Sequence, residues 1–188
     1  MPKVETFNRE VVLGKVIQLF HEKGFNATSM QDLVDVTGLN RSSIYNSFGN
    51  KMELYQESLK VYRSQANKMV QKILIHSTNA KDSIRRIFYT NPEQKNNGCF
   101  LSNCTAEMAN QDIEIKNFLQ NNLDRMQELF EELVSKGQAE GTVNTLKSPK
   151  EYALYLFTSL QGLRITGILL KEQNDYESIV NTTLSVLD

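Results

Sequence analysis

Helix-breaking residues are scarce in this chain: three prolines and nine glycines in 188 residues. That scarcity favours long helices. No run of about 18 apolar residues occurs, so no membrane span is expected. The opening MPKVETFNRE lacks the apolar segment of a secretory signal, and there are only two cysteines. A reducing cytoplasm is therefore the expected compartment. There is also no metal-spaced Cys/His cluster, no phosphate-cradling glycine loop and no nucleophile elbow. His21 and His76 are far apart in mixed-charge contexts and read as surface residues. No enzyme, no metal and no cofactor is expected. Net charge is −1, with six Lys/Arg against five acids in residues 1–51. Charge alone names no partner. Apolar residues, at 40%, are enough for a packed core.

Hydrophobic spacing supplies the architecture. Leu13, Val16, Ile17 and Phe20 form one helical stripe, with Asn8 as its cap and Gly24-Phe25 as its stop. A second helix opens at TSMQ, read as a capping box of Thr28 and Gln31, with Met30, Leu33 and Val34 inward. Gly38 ends it. Asn40 caps a short third helix anchored by Ile44 and Phe48 and closed by Gly49. Asn50 and Glu53 then box a long fourth helix, along which Leu54, Leu59, Tyr62, Ala66, Met69, Val70 and Ile73 recur. The fifth runs through AKDSIRRIFYT to Asn91-Pro92, followed by the loop NPEQKNNG. The sixth, CFLSNCTAEMA, precedes a seventh over residues 112–136 and a loop, GQAEGTVNTLK. SPKE, with Ser148 as cap, Pro149 at the first helical position and Glu151 in the box, opens an eighth helix to about Leu170. A ninth runs from Asp175 to the end. The expected fold is all-α: a three-helix N-terminal helix-turn-helix domain in residues 1–50, then a larger helical domain in residues 51–188.

The third helix carries too little apolar area to matter as core. Its outer face shows Arg41, Ser42, Tyr45 and Asn46, with Ser43 and Lys51 nearby. Arginine can fork onto guanine and asparagine onto adenine in the major groove. Hydroxyl and ammonium side chains hold phosphates, and a helix start at Thr28 and Ser29 offers backbone N–H groups. The same pattern also describes a solvated connecting helix.

The segment GFNATSMQDLVDVTGLNRSSIYNSFGNKMEL resembles the N-terminal DNA-binding domain of TetR/AcrR-family transcriptional regulators. Gly24-Phe25, Thr28-Ser29, Gly38, Tyr45, Phe48 and Lys51 fall on the family pattern. Val34 and Thr37 replace its usual alanines, and Ser47 its usual His or Tyr. The resemblance implies DNA contacts from Thr28, Arg41, Ser43, Tyr45, Asn46 and Lys51. Taken with the outer face, the candidate DNA-binding set is Thr28, Ser29, Asn40, Arg41, Ser42, Ser43, Tyr45, Asn46 and Lys51. It further implies a repressor that binds a palindromic double-stranded operator as a homodimer and is released by a small-molecule effector, electrophiles and oxidants included. The rival reading is a helical small-molecule-binding or scaffold protein that touches no DNA.

In the family, the last two helices pair with their copies. YALYLFTSLQGLRITGILL is nearly apolar all round, and Gly162 and Gly167 would let backbones approach. An effector pocket is expected among the fourth to eighth helices, with Tyr62, Phe88, Cys99, Phe100, Met126 and Tyr155 as candidate lining; each also reads as ordinary core. Cys99 and Cys104 project roughly 140° apart on a helix, which disfavours a disulfide between them. They read as small buried hydrophobes. The alternative is a reactive Cys99: GCF resembles the start of this helix in a branch of the family whose members sense electrophiles through a cysteine.

Overall fold

The computed structural model describes residues 7–90 and 98–188. The expected loop after Asn91 lies largely outside them. Among the described residues every regular element is helical. The N-terminal elements are α1 (Arg9–Ala27), α2 (Met30–Thr37), α3 (Arg41–Phe48) and α4 (Lys51–His76). The others are α5 (Ala80–Phe88), α6 (Phe100–Met108), α7 (Ile113–Ala139), α8 (Pro149–Thr166) and α9 (Gln173–Leu184). Short 3-10 turns, Gly167–Leu169 and Ser185–Leu187, follow the last two.

Most helix starts are where local chemistry puts them. Asn8, Asn40 and Asn50 each accept a backbone N–H from the first turn, and Asn50–Glu53 and Ser148–Glu151 close capping boxes. The start of α2 differs. Ser29 is the cap and Asp32 its reciprocal partner; the Thr28 hydroxyl is turned inward, donating to the Gly24 carbonyl at 2.6 Å. Two overlapping capping signatures compete here, and the one whose serine is free of another partner forms. Gly24 breaks α1 as expected (φ 77°, ψ 172°), but one further helical turn, Phe25 to Ala27, follows before α2. The Thr37 hydroxyl is buried yet satisfied, donating to Leu33 O at 2.6 Å and accepting from Leu39 N at 3.2 Å.

Other boundaries shift. α5 ends at Phe88, before the proline. α7 continues through Gly137, buried against Val143, instead of yielding to a loop there. α8 stops at Thr166 and tightens into the 3-10 turn. Along α4 the buried positions end at Leu59; Ala66 and Met69 face outward. Beyond Leu59 the helix is only partly covered, with Val61 and Tyr62 against the first of two cores and Val70, Ile73 and Leu74 against the second.

Two cores result. The first joins α1, α2, α3 and the start of α4 to α6 and the first turns of α7, through Phe20, Leu33, Ile44, Tyr55, Phe100, Met108 and Ile115. The second lies among α5, α7, α8 and α9, around Phe88, Phe130, Leu156, Leu160 and Val180. The pairing of α7 with α8 is the most extensive between helices. No described helix is long and apolar enough to cross a membrane.

Candidate nucleic-acid interface

Ile44 and Phe48 bury the inner face of α3, which leaves Arg41, Ser42, Tyr45 and Asn46 exposed and Ser43 half-buried beside them. Half of Tyr45 is open to solvent (50%), unusual for a tyrosine that serves only packing. Asn40 is exposed too, with its side-chain Oδ1 accepting from Ser43 N at 2.8 Å. The helix is pinned at its C-terminal end by Arg9. One Arg9 nitrogen donates to Ser47 O at 3.0 Å; two others fork onto Glu57 at 3.0 and 2.7 Å. The guanidinium also lies 4.3 Å from the Phe48 ring centroid. One side chain thus ties α1, α3 and α4 together. Nothing in the sequence spacing announced Arg9, because its partners are 38 and 48 residues away.

Beside α3 lies the start of α2. Asp32 occupies the Ser29 N–H and hydroxyl at 2.8 and 2.7 Å, which leaves the N–H groups of Met30 and Gln31 as the ones directed out of the helix end. Lys23 and the two Ser29 donors hold the Asp32 carboxyl far below the usual carboxylate range. Buried Thr28 is therefore not on this surface, contrary to expectation. Lys51, half-buried, sits with its ammonium 4.3 Å above the Phe25 ring. Burial lowers its pKa, partly offset by attraction to Glu107 and Asp32. The arrangement can do two things chemically: present hydrogen-bonding side chains in a row narrow enough for a major groove, and flank that row with anion-binding groups.

The six expected effector residues do not converge on one place. Tyr62, Cys99 and Phe100 do meet: the Tyr62 hydroxyl is 3.8 Å from Cys99 Sγ, and the two aromatic rings are edge-on at 5.6 Å. His21 joins them, its ring 6.0 Å from Tyr62 and 5.7 Å from Phe100, so it is not a surface histidine. His76 is exposed. Phe88 belongs to the second core beside Phe130, with Met126 packed against it. Tyr155 is 43% exposed on the outer face of α8 and joins neither group.

Cys99 is the N-cap residue of α6, and it gains a partner that sequence reasoning missed. Arg164 of α8 brings Nη1 to 3.8 Å from the sulfur and Nη2 to 3.4 Å from Thr90 Oγ1. Burial pushes the Cys99 thiol up, but Arg164, the Ser102 N–H and hydroxyl, and the Tyr62 hydroxyl outweigh it and leave the thiol below its ordinary range. Cys104, chiefly through burial, is pushed up to about 11. Both cysteines are free and buried. Between α4 and α7 there is a cavity of about 180 Å³ lined by Leu59, Lys60, Ile115 and Phe118, small beside the roughly 300–1,000 Å³ of common ligand sites. Among the described residues no three His, Cys, Asp or Glu side chains are placed to hold a metal ion.

Known proteins share this architecture and sequence. Residues 16–57 match the family described as bacterial regulatory proteins, tetR family, and residues 84–183 match the tetracyclin repressor-like C-terminal domain. The uncharacterised HTH-type transcriptional regulator YezE of Bacillus subtilis is 26% identical over 100% of both chains. The HTH-type transcriptional repressor ComR of Escherichia coli is 25% identical over 97% of this chain and 89% of its own. Among solved structures, a cysteine variant of the TetR family regulator CifR, complexed with a 26-base-pair operator DNA, superposes with a TM-score of 0.86 at 18% identity, covering 99% of this chain and 100% of that one. Reduced NemR of E. coli gives 0.82 at 16%, covering 96% and 97%. A short capped helix α3 in front of a larger set of helices, with family matches over residues 16–57 and 84–183, places the chain in the TetR family of bacterial regulatory proteins.

Proposed function

We propose that this chain is a ligand-responsive transcriptional repressor that works in the cytoplasm and binds a palindromic operator as a homodimer. The observation that carries the reading is the exposed row Arg41, Ser42, Tyr45 and Asn46 on a helix immobilised at both ends. Residues 1–50 read the DNA; residues 51–188 bind the effector and dimerise. Arg41 and Asn46 address base edges, while Ser42, Ser43, Tyr45, Lys51 and the start of α2 at Ser29 address phosphates. Asn40 holds the helix start in register. The relatives named as repressors, and the operator complex of a protein with the same fold, support this assignment.

The second copy docks on α8 and α9. Leu154, Tyr155, Ile165, Ile168 and Ile179 leave apolar surface exposed there, and Gly162 faces open space. Tyr155 thus belongs to the dimer face, not to an effector pocket. Effector chemistry acts at the Tyr62–Cys99–Phe100 cluster, where a thiol with a lowered pKa suits an electrophile or oxidant. An effector releases the DNA by preferring a dimer whose two reading helices are wrongly spaced.

The test is selection of bound duplexes from a random pool, followed by affinity measurement across salt concentrations. An inverted repeat with half-site centres roughly 34–36 Å apart, or a multiple of that, is expected, with affinity falling steeply as salt rises. Recovery of no sequence preference would favour the scaffold reading.

A further inference from the structure

The break in α1 leaves a problem that the N-terminal helices do not solve by themselves. After Gly24 a new helical turn begins, and its first N–H groups have no intrahelical acceptor. Glu107, on α6 and more than eighty residues away, supplies both: Oε2 accepts from Phe25 N at 2.9 Å and Oε1 from Asn26 N at 2.7 Å. A charged carboxylate bridging two adjacent backbone donors is a strong, directional clasp. Glycine is required at position 24 for two reasons. Its φ of 77° suits no side chain, and a Cβ there would lie 2.8 Å from Glu107 Oε2.

The clasp touches the proposed phosphate-binding groups from two sides. The held turn ends at Thr28, whose hydroxyl closes back onto Gly24 O; the next residue is Ser29, the cap of α2. The side chain of Phe25, whose N–H Glu107 holds, forms the platform under the Lys51 ammonium, and Glu107 attracts that ammonium as well. At its other end α6 is capped by Cys99, whose sulfur lies 3.8 Å from both Tyr62 Oη of α4 and Arg164 Nη1 of α8, and Ser102 Oγ lies 3.2 Å from Gln161 Oε1 of α8. α6 therefore spans the distance from the thiol cluster to the DNA-facing corner.

We propose that Glu107 is a positioning residue for DNA binding: it fixes the Phe25–Asn26 turn so that the start of α2 and Lys51 meet the phosphates together. This rests on the DNA-binding reading above.

Two variants test it on a duplex selected by the parent protein. Glu107→Gln keeps the reach and removes the charge; Glu107→Asp keeps the charge and draws the oxygens back. Deleting a negative charge near DNA favours binding by simple electrostatics, so a loss in the Gln variant has the opposite sign to that trivial effect. Both variants are expected to bind about tenfold or more weakly, with the slope of log affinity against log salt shallower by about one for each phosphate that is no longer neutralised. Preferences among single base-pair changes should stay as in the parent, because α3 is untouched. A merely structural defect lowers the active fraction and leaves the slope alone. A parental slope in whichever variant still melts as a cooperative dimer overturns the proposal. If the parent itself selects no duplex, the DNA-binding reading fails first and this inference goes with it.

Discussion

Two cysteines five positions apart acquire opposite chemistry from their neighbours. Cys99 faces Arg164, Ser102 and Tyr62; Cys104 lies in the first core near Tyr55. Both are almost wholly covered, at 3% and 1% exposure, so access does not distinguish them. Thiolate content does. With an alkylating reagent near pH 7 and readout by peptide mass spectrometry, Cys99 should label at least about tenfold faster. Its rate should level off at lower pH than that of Cys104, and Arg164→Met should shrink the difference. Equal rates in the parent would contradict the assignment. At this scale caps were legible where one candidate stood alone, as at Asn8, Asn40 and Ser148. Thr28-Gln31 and Ser29-Asp32 share the same spacing, and the use of the Thr28 hydroxyl by the Gly24 carbonyl decides between them. Arg9, Glu107 and Arg164 were illegible because their partners are distant in sequence and no periodicity marks them.

Among elements, α3 depends on neighbours for its position, since eight residues are too few to be stable alone. Arg9 provides the tie at its C-terminal end, with Glu57 holding Arg9 in turn. Arg9→Met keeps an unbranched stem against Phe48 and removes the hydrogen bonds. It should cost roughly 1–3 kcal/mol of stability, seen as a melting temperature lower by several degrees, and should weaken DNA binding beyond any loss of folded protein. An unchanged melting temperature would show that the tie contributes little. Helix identity was readable from spacing throughout, whereas helix ends and outward faces were not. Ala66 and Met69 recur with the apolar residues of α4 yet stand exposed, because helical spacing records only which residues share a face, not whether anything packs there. Residues 137–139 read as loop from their glycine; Val143 packing on Gly137 keeps them helical.

At the level of the whole molecule, the proposed boundary after residue 50 does not divide the packing. Phe100, Cys104, Met108 and Ile115 complete the core that carries α1, α2 and α3, so the exposed face of α3 rests partly on helices beyond residue 50. No local pattern in the sequence reveals that shared core. α8 was anticipated as apolar nearly all round, and the side chains that α8, α9 and the turn between them leave exposed are what a symmetric partner would cover. The most direct test joins these levels in one protein: the affinity of Tyr45→Ala/Asn46→Ala for the selected duplex, measured by fluorescence anisotropy once sedimentation has confirmed an intact, folded dimer. A loss of about a hundredfold or more is predicted, since the Asn46 base contact contributes about 1–3 kcal/mol, the Tyr45 phosphate contact adds to it, and the dimer makes both twice. Affinity equal to that of the parent would contradict the placement of α3 against DNA.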